Sequence, residues 1–393
     1  MVEKISEKKR RLIPIINLPL KLFFCTPKAK DAIDIDKAKE ILVIYYAGIG
    51  DAIMNISFLR ILRKSTPSAK ITLVSSKSEY EVVKNLDLVD KIVVIDLAFT
   101  RNINKELKKV TEIRETIRKI NNVQYDVAIE PRGDLRCIYL MHKCNAIRKI
   151  SYNYTGGETL LTDVINPSKG ITHLLDDQLY ILKSIGIEFT EKETLPVLEL
   201  NHEDEEKNNL LLDSYDIRNK CIVGIHPGAS WETKRWKDYD KLAQRIGDNY
   251  KNIYFFVFSS VGEEKIADEV LSSIISHGLE GRIIKEALED YIRIIANCSI
   301  MICNDSGSAH IAAAYGISTI VIFGPFNPSY CKPVGRGSVH VISHDLDCKP
   351  CMSKDCKTKK NECINSISVD EVLGIVMEEM RNHDGYVSKK SEQ

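Results

Sequence analysis

The chain reads as α/β, with two doubly wound, Rossmann-like domains facing across a cleft. Three observations predict this. Continuous apolar runs such as Ile41-Leu42-Val43-Ile44-Tyr45-Tyr46 and Ile222-Val223-Gly224-Ile225 suit parallel strands buried on both faces. Helical apolar spacing follows the runs in turn, which gives the strand–helix alternation of a parallel sheet. The length, 393 residues, exceeds what one core ordinarily serves, and the alternation breaks off and restarts once.

In the first half, the run at Ile41 ends in Ala47-Gly48-Ile49-Gly50-Asp51. Ile53, Ile56, Leu59 and Leu62 then recur at steps of three, and basic Arg63-Lys64 closes that helix. Strands follow at Ile71 to Val74, Ile92 to Ile95 and Val127 to Ile129. Helices lie between and after them at Ser78 to Asn85, Asn104 to Ile120 and Leu135 to Lys143. Polar Asn201 to Asn209 marks the break. The second half restarts at Ile222 and continues with a helix Lys237 to Gly247, a strand Ile253 to Phe258 and a helix Glu263 to Ile275. A short strand Ile283-Ile284, a helix Asp290 to Asn297 and a strand Ile300 to Cys303 come next. A small-residue helix Ala309 to Tyr315, a strand Thr319 to Phe323 and a last helix Val369 to Arg381 complete it. The expected divisions are an arm (1–40), a first domain (41–200), a second domain (201–368) and a terminal helix and tail (369–393).

Lys+Arg and Asp+Glu each number 55, so bulk charge implies no nucleic-acid partner. The first 30 residues are the exception, with eight basic side chains against two acids. They also hold Leu12 to Phe24, an apolar stretch interrupted by Pro14, Asn17, Pro19 and Lys21 and short for a membrane span. No small-residue cleavage site follows it, as a signal peptide requires. The reading is a basic, apolar arm lying on an anionic membrane face, with a disordered tail as the alternative. Seven of the eleven cysteines are scattered, several in apolar runs, as expected in a reducing cytosol.

Three turns, each at a strand's carboxyl end, carry the chemistry. Asn304-Asp305-Ser306-Gly307-Ser308-Ala309-His310 leads a strand into a helix poor in bulk. Such a turn aims backbone N–H groups and a helix dipole at one point, which suits a phosphate or diphosphate; a plain βαβ turn capped by Asp305 or Ser306 is the alternative. His226-Pro227-Gly228-Ala229-Ser230 offers backbone and hydroxyl donors at Gly228 and Ser230. Lys234 beyond it can meet a phosphate that gains charge as a bond breaks, or simply lie on a surface loop. Gly48-Ile49-Gly50-Asp51 lacks the third glycine of a dinucleotide fingerprint, because Ile53 stands there, and Ser75-Ser76 replaces the expected acid. Asp51 can accept a proton from a substrate hydroxyl or cap its helix. Glu263 and Glu264 can bond a ribose or favour a helix N-terminus.

Taken together, Gly48-x-Gly50-Asp51-Ala52, Arg132-Gly133-Asp134-Leu135-Arg136, His226-Pro227-Gly228-Ala229-Ser230, Lys234-Arg235-Trp236, Asn304-Asp305-Ser306-Gly307-x-x-His310 and Phe323-Gly324-Pro325 resemble glycosyltransferase family 9, the heptosyltransferase family. The resemblance runs from about Ile41 to Val376. It implies the GT-B fold and an inverting transfer of a sugar, heptose from ADP-heptose, to a lipopolysaccharide-core or related lipid-anchored glycan. That work belongs at the inner face of the cytoplasmic membrane. The family's general base falls on Asp51 and its phosphate-facing lysine on Lys234. Its donor turn falls on Asp305-Ser306-Gly307, with serine for the usual threonine, and its ribose-contacting acid on Glu263, or on Glu264 in a shifted register.

His310 can line the donor site or pack. Arg132 and Arg136 can fork onto acceptor phosphates or pair with Asp134. No Asp-x-Asp metal motif lies near these turns, and lysine plus dipole can meet the phosphate charge, so no metal is required for catalysis. Cys348-x2-Cys351-x4-Cys356-x6-Cys363 can ligate a structural zinc, although only its first pair has the usual spacing. The alternatives are a transferase for another nucleotide sugar, a GT-B-like epimerase, and a non-catalytic nucleotide-sugar-binding protein.

Overall fold

The computed structural model describes residues 7–24, 26–97, 103–168 and 170–390. The chain divides into two compact units between Thr194 and Leu195. The expected boundary lay after residue 200. The segment from 195 belongs with the second unit because the Leu198 N–H bonds the Ala314 carbonyl there.

The first unit holds a six-stranded sheet of β1 (Glu40–Tyr45), β2 (Lys70–Ser75), β3 (Lys91–Val94), β4 (Tyr125–Glu130), β5 (Ala146–Tyr152) and β6 (Asp163–Ile165). The strand order is β3-β2-β1-β4-β5-β6 and every pairing is parallel. The second unit holds β7 (Cys221–His226), β8 (Ile253–Phe258), β9 (Gly281–Ile284), β10 (Ile300–Asn304), β11 (Ser318–Ile322) and β12 (Val339–Ile342). Its order is β12-β11-β10-β7-β8-β9, again all parallel. In each sheet the winding reverses between two central strands, β1 and β4 in one, β7 and β10 in the other. Ligands of open α/β sheets bind at such reversal points, beyond the strand carboxyl ends.

The central strands are buried along almost their whole length, as their unbroken apolar runs require. The helix Gly307–Tyr315 packs its alanines, all fully buried, against β10 and β11, so small side chains let it lie close to the sheet. Polar Asn201 to Asn209, where the sequence pattern breaks, is helical from His202 onward. It is most of the helix His202–Ser214, which the Asn201 side chain caps by accepting the Asp204 N–H.

The arm forms a helix, Glu7–Phe23, with Pro14 and Pro19 inside it. It is pinned to the short turn Glu158–Leu160: Asn17 Oδ1 accepts the Gly157 N–H at 2.9 Å and Lys21 Nζ lies 3.0 Å from Glu158. Ile15, Leu18 and Leu22 point outward and are about two-thirds or more exposed. Among the described residues no helix is long and apolar enough to cross a membrane.

Candidate functional site

The first unit carries a pocket of about 700 Å³ at the β1/β4 reversal, lined among others by Gly48, Asp51, Lys77, Asp96, Arg132 and Arg136. Asp51 stands in the first turn of the helix Ile49–Ser65, where the cap position is Gly48. It is therefore not the cap, and its carboxylate pairs with Arg132 Nη2 at 3.1 Å. The Tyr45 hydroxyl donates to the Asp51 carbonyl at 3.0 Å and accepts from Gln178 Nε2 at 2.6 Å, which fixes that turn of helix against the sheet.

The two arginines part company. Arg136 is held by Asp134, which also caps the helix Leu135–Lys143; its Nε and Nη2 lie 3.0 and 2.5 Å from the two carboxylate oxygens. Burial raises the affinity of Asp134 for a proton, but the Arg136 bonds outweigh it and hold the carboxyl below its usual range. Arg132 instead turns to Asp51, over the Tyr45 ring. Its turn needs Gly133 at a φ of 69°, where a Cβ would meet the Tyr154 ring at 3.0 Å. Wholly buried Glu130 accepts the N–H groups of both Arg132 (3.2 Å) and Gly133 (2.6 Å).

Within electrostatic reach of Asp51 is Glu79, also wholly buried, which accepts from Asn55 Nδ2 at 2.6 Å and has no partner on its second oxygen. Burial pushes its carboxyl well above the usual range, against the pull of Asn55 and Arg132. Neither Glu79 nor Glu130 had a signal in the sequence beyond an acid inside an element.

In the second unit the turns after β7, β8 and β10 converge at the other reversal. Lys234 Nζ lies 2.7 Å from Asp305 Oδ2 and donates to the Asp305 carbonyl at 3.1 Å. Ser306 holds the cap position of the helix Gly307–Tyr315, yet its hydroxyl makes no cap bond and faces His226 Nδ1 at 3.2 Å. Gly307 opens that helix, His310 is buried within it, and Ser230 is exposed. The helix N-terminus thus keeps backbone donors free of side-chain capping, beside an ammonium group.

Glu263 is buried against this turn. His226 Nε2 is 3.0 Å from its Oε2, and the Ser260 N–H donates to the same oxygen at 3.2 Å. A Cβ on Gly228 would lie 2.2 Å from the Glu263 carboxyl carbon, so a larger residue there would have to push the carboxylate aside. Burial pushes the Glu263 carboxyl up, but His226 prevails and holds it below its ordinary value. Glu264 points elsewhere, to Lys285 at 3.0 Å. Two residues of the motifs gain roles that composition could not assign. His226 links Glu263 to Ser308 (2.9 Å), and Asn304 ties the Pro227 and Gly228 carbonyls to the Trp236 N–H.

Among the described residues no three His, Cys, Asp or Glu side chains are grouped to hold a metal ion. Cys348, Cys351, Cys356 and Cys363 are free thiols, the first two exposed and the other two half-buried.

The model of glycosyltransferase family 9 (heptosyltransferase) matches residues 113–362. Lipooligosaccharide heptosyltransferase 2 of Campylobacter jejuni is 28% identical over 163 residues, 40% of this chain and 50% of that protein. The chain thus spans about half the length of the curated relative it matches there. Among solved structures, a family 9 glycosyl transferase from Veillonella parvula has a TM-score of 0.73 at 20% identity, covering 89% of this chain and 99% of its own. An ADP-heptose lipopolysaccharide heptosyltransferase II from Escherichia coli has a TM-score of 0.71 at 19% identity, covering 88% and 99%. These likenesses give the chain the GT-B fold.

Proposed function

The chain belongs to glycosyltransferase family 9, the heptosyltransferase family, and on that footing we propose that it is an inverting transferase moving heptose from ADP-heptose to a lipopolysaccharide-core or related lipid-anchored glycan. The observation that carries the donor half is the Lys234 ammonium beside Asp305 at the amino end of an alanine-rich helix. A diphosphate there meets a cation, backbone donors and a helix dipole in one place. Family membership and a relative named for ADP-heptose support heptose as the sugar.

Asp51 is the general base. Its carboxylate takes the acceptor hydroxyl proton while that oxygen forms a bond to the anomeric carbon. The bond from anomeric carbon to diphosphate oxygen breaks, and the electron pair leaves with ADP, whose added charge Lys234 and the helix N-terminus stabilise. Attack opposite the leaving group inverts the configuration. Arg132, paired with Asp51, orients the base and can fork onto an anionic group of the acceptor. These side chains suffice for the charge changes, so the reaction requires no metal.

The acceptor is lipid-anchored, and the arm brings the enzyme to it at the inner face of the cytoplasmic membrane. Ile15, Leu18 and Leu22 follow one another at helical spacing and lie exposed within a strongly basic segment. Such a face enters the headgroup boundary of an anionic bilayer.

The test pairs binding with turnover. A panel of nucleotide sugars is screened for the one that raises the melting temperature of the protein, and ADP-heptose is the expected hit. Asp51→Asn then keeps that shift while turnover falls by roughly a hundredfold or more. An Asn variant with undiminished turnover removes Asp51 as base, and a panel without an ADP-sugar hit removes the donor assignment.

A further inference from the structure

Trp231 and Phe326 are two large aromatic side chains that stand outside the hydrophobic core of the second unit, both half-buried. Their ring centroids are 5.2 Å apart and tilted by 44°. Lys234 Nζ lies 4.3 Å from the Phe326 centroid and 5.8 Å from that of Trp231. Lys354, from the cysteine-bearing loop, approaches Trp231 with its ammonium at 5.6 Å.

The pair is built in place from two directions. The turn carrying Trp231 is closed by Arg235 Nε on the Ala229 carbonyl (2.9 Å) and the Lys234 N–H on the Trp231 carbonyl (3.1 Å). The cysteine-bearing loop then locks it from outside. Thr233 Oγ1 donates to the Ser353 carbonyl at 2.9 Å, and the Met352 N–H donates to the carbonyl of Pro325, next to Phe326, at 3.2 Å.

We propose that Trp231 and Phe326 form the surface on which the transferred sugar ring rests, with the loop 348–363 holding that surface in place. This rests on Lys234 meeting the donor diphosphate, as argued above. The sugar is bonded directly to that diphosphate, so rings 4 to 6 Å from the Lys234 ammonium lie within reach of the sugar. Aromatic faces, electron-rich at the centre, cover the C–H groups of a sugar ring and exclude water from it, while leaving its hydroxyls to polar neighbours. The cysteine-rich segment thereby has a place in sugar selection that needs no metal.

The experiment is calorimetric titration of the full chain and of Trp231→Ala, Phe326→Ala and Trp231→Phe with ADP-heptose and, separately, with ADP. Both alanine variants are expected to weaken ADP-heptose by roughly five- to tenfold, to change ADP by less than about twofold, and Trp231→Phe to restore most of the loss. Equal losses for the two ligands would mean that the rings serve Lys234 rather than the sugar, and unchanged binding of both would mean that they serve neither; each overturns the proposal. If one alanine variant fails to fold by circular dichroism, the other carries the comparison. Wild-type protein that binds neither ligand defeats the donor reading itself, and this surface falls with it.

Discussion

Replacing Glu130 by glutamine removes a proton equilibrium from beneath the Arg132 turn, and the structure sets the size of the effect. Glu130 is wholly buried at the end of β4, and burial pushes its carboxyl from 4.5 up to about 7. The folded chain therefore holds this proton more tightly than the unfolded chain does. The stability it contributes is fully present below about pH 4.5 and is lost as pH rises through about 7. At about 1.4 kcal/mol per pH unit, the gap amounts to roughly 3 kcal/mol. Neutral Glu130 can donate to Ser151 Oγ, 2.6 Å away, while accepting from Gly133. Glutamine also donates to Ser151 but turns an amide nitrogen toward the Gly133 N–H, which costs about 1 kcal/mol at every pH. The variant is thus less stable than wild type near pH 4.5 and more stable above pH 8, and the curves cross between. Urea unfolding from pH 4.5 to 8.5, followed by far-ultraviolet circular dichroism, measures this. Both tryptophans, Trp231 and Trp236, lie in the second unit, so their fluorescence supplies an internal reference. Wild-type and variant curves that stay parallel across this range would refute the reasoning.

Gly228→Ala places a methyl group on the Glu263 carboxylate and displaces it from His226. A loss of about 1 to 3 kcal/mol is expected in the tryptophan-detected urea transition, and an unchanged midpoint would disprove the contact. Glu79→Gln removes a carboxyl that burial pushes well above its ordinary range, so urea unfolding should show the variant losing less stability than wild type as pH rises, and parallel pH profiles would disprove it. The Cys356 thiol, hydrogen-bonded by Thr358 and by backbone N–H groups, is held down to about 7, whereas burial pushes Cys298 and Cys303 far up. Iodoacetamide at pH 7 should label Cys356 well ahead of buried Cys298 and Cys303 by mass-spectrometric peptide mapping, and Thr358→Val should slow it.

The central strands were legible because burial on both faces leaves a run of apolar residues that little else produces. At the edges of the sheets that signal fades. β5 is half-exposed along Ala146-Ile147-Arg148-Lys149, β6 spans three residues, and β12 is only partly covered, so none of the three announced itself. The helix His202–Ser214 buries a single side chain, Asn208, and so lacks the apolar stripe by which a helix is recognised. In the site, the residues that reach a ligand stood out by type and turn: Asp51, Lys234 and Asp305-Ser306-Gly307. Their partners did not. That Arg132 chooses Asp51 while Arg136 chooses Asp134 is decided by a left-handed glycine and a buried carboxylate three residues upstream. Such choices depend on distances across the fold, which spacing along the chain does not record.

Each sheet winds outward from its middle pair of strands, and the reactive groups hang from one end of those strands only. At the opposite edge of each sheet the chain meets solvent beside a neighbouring strand, at Pro67-Ser68 before β2 and at Lys251-Asn252 before β8, all four residues exposed. These rear helix-to-strand corners are where an affinity tag, a fluorophore or a surface tether can be grafted with the least disturbance to chemistry at the front.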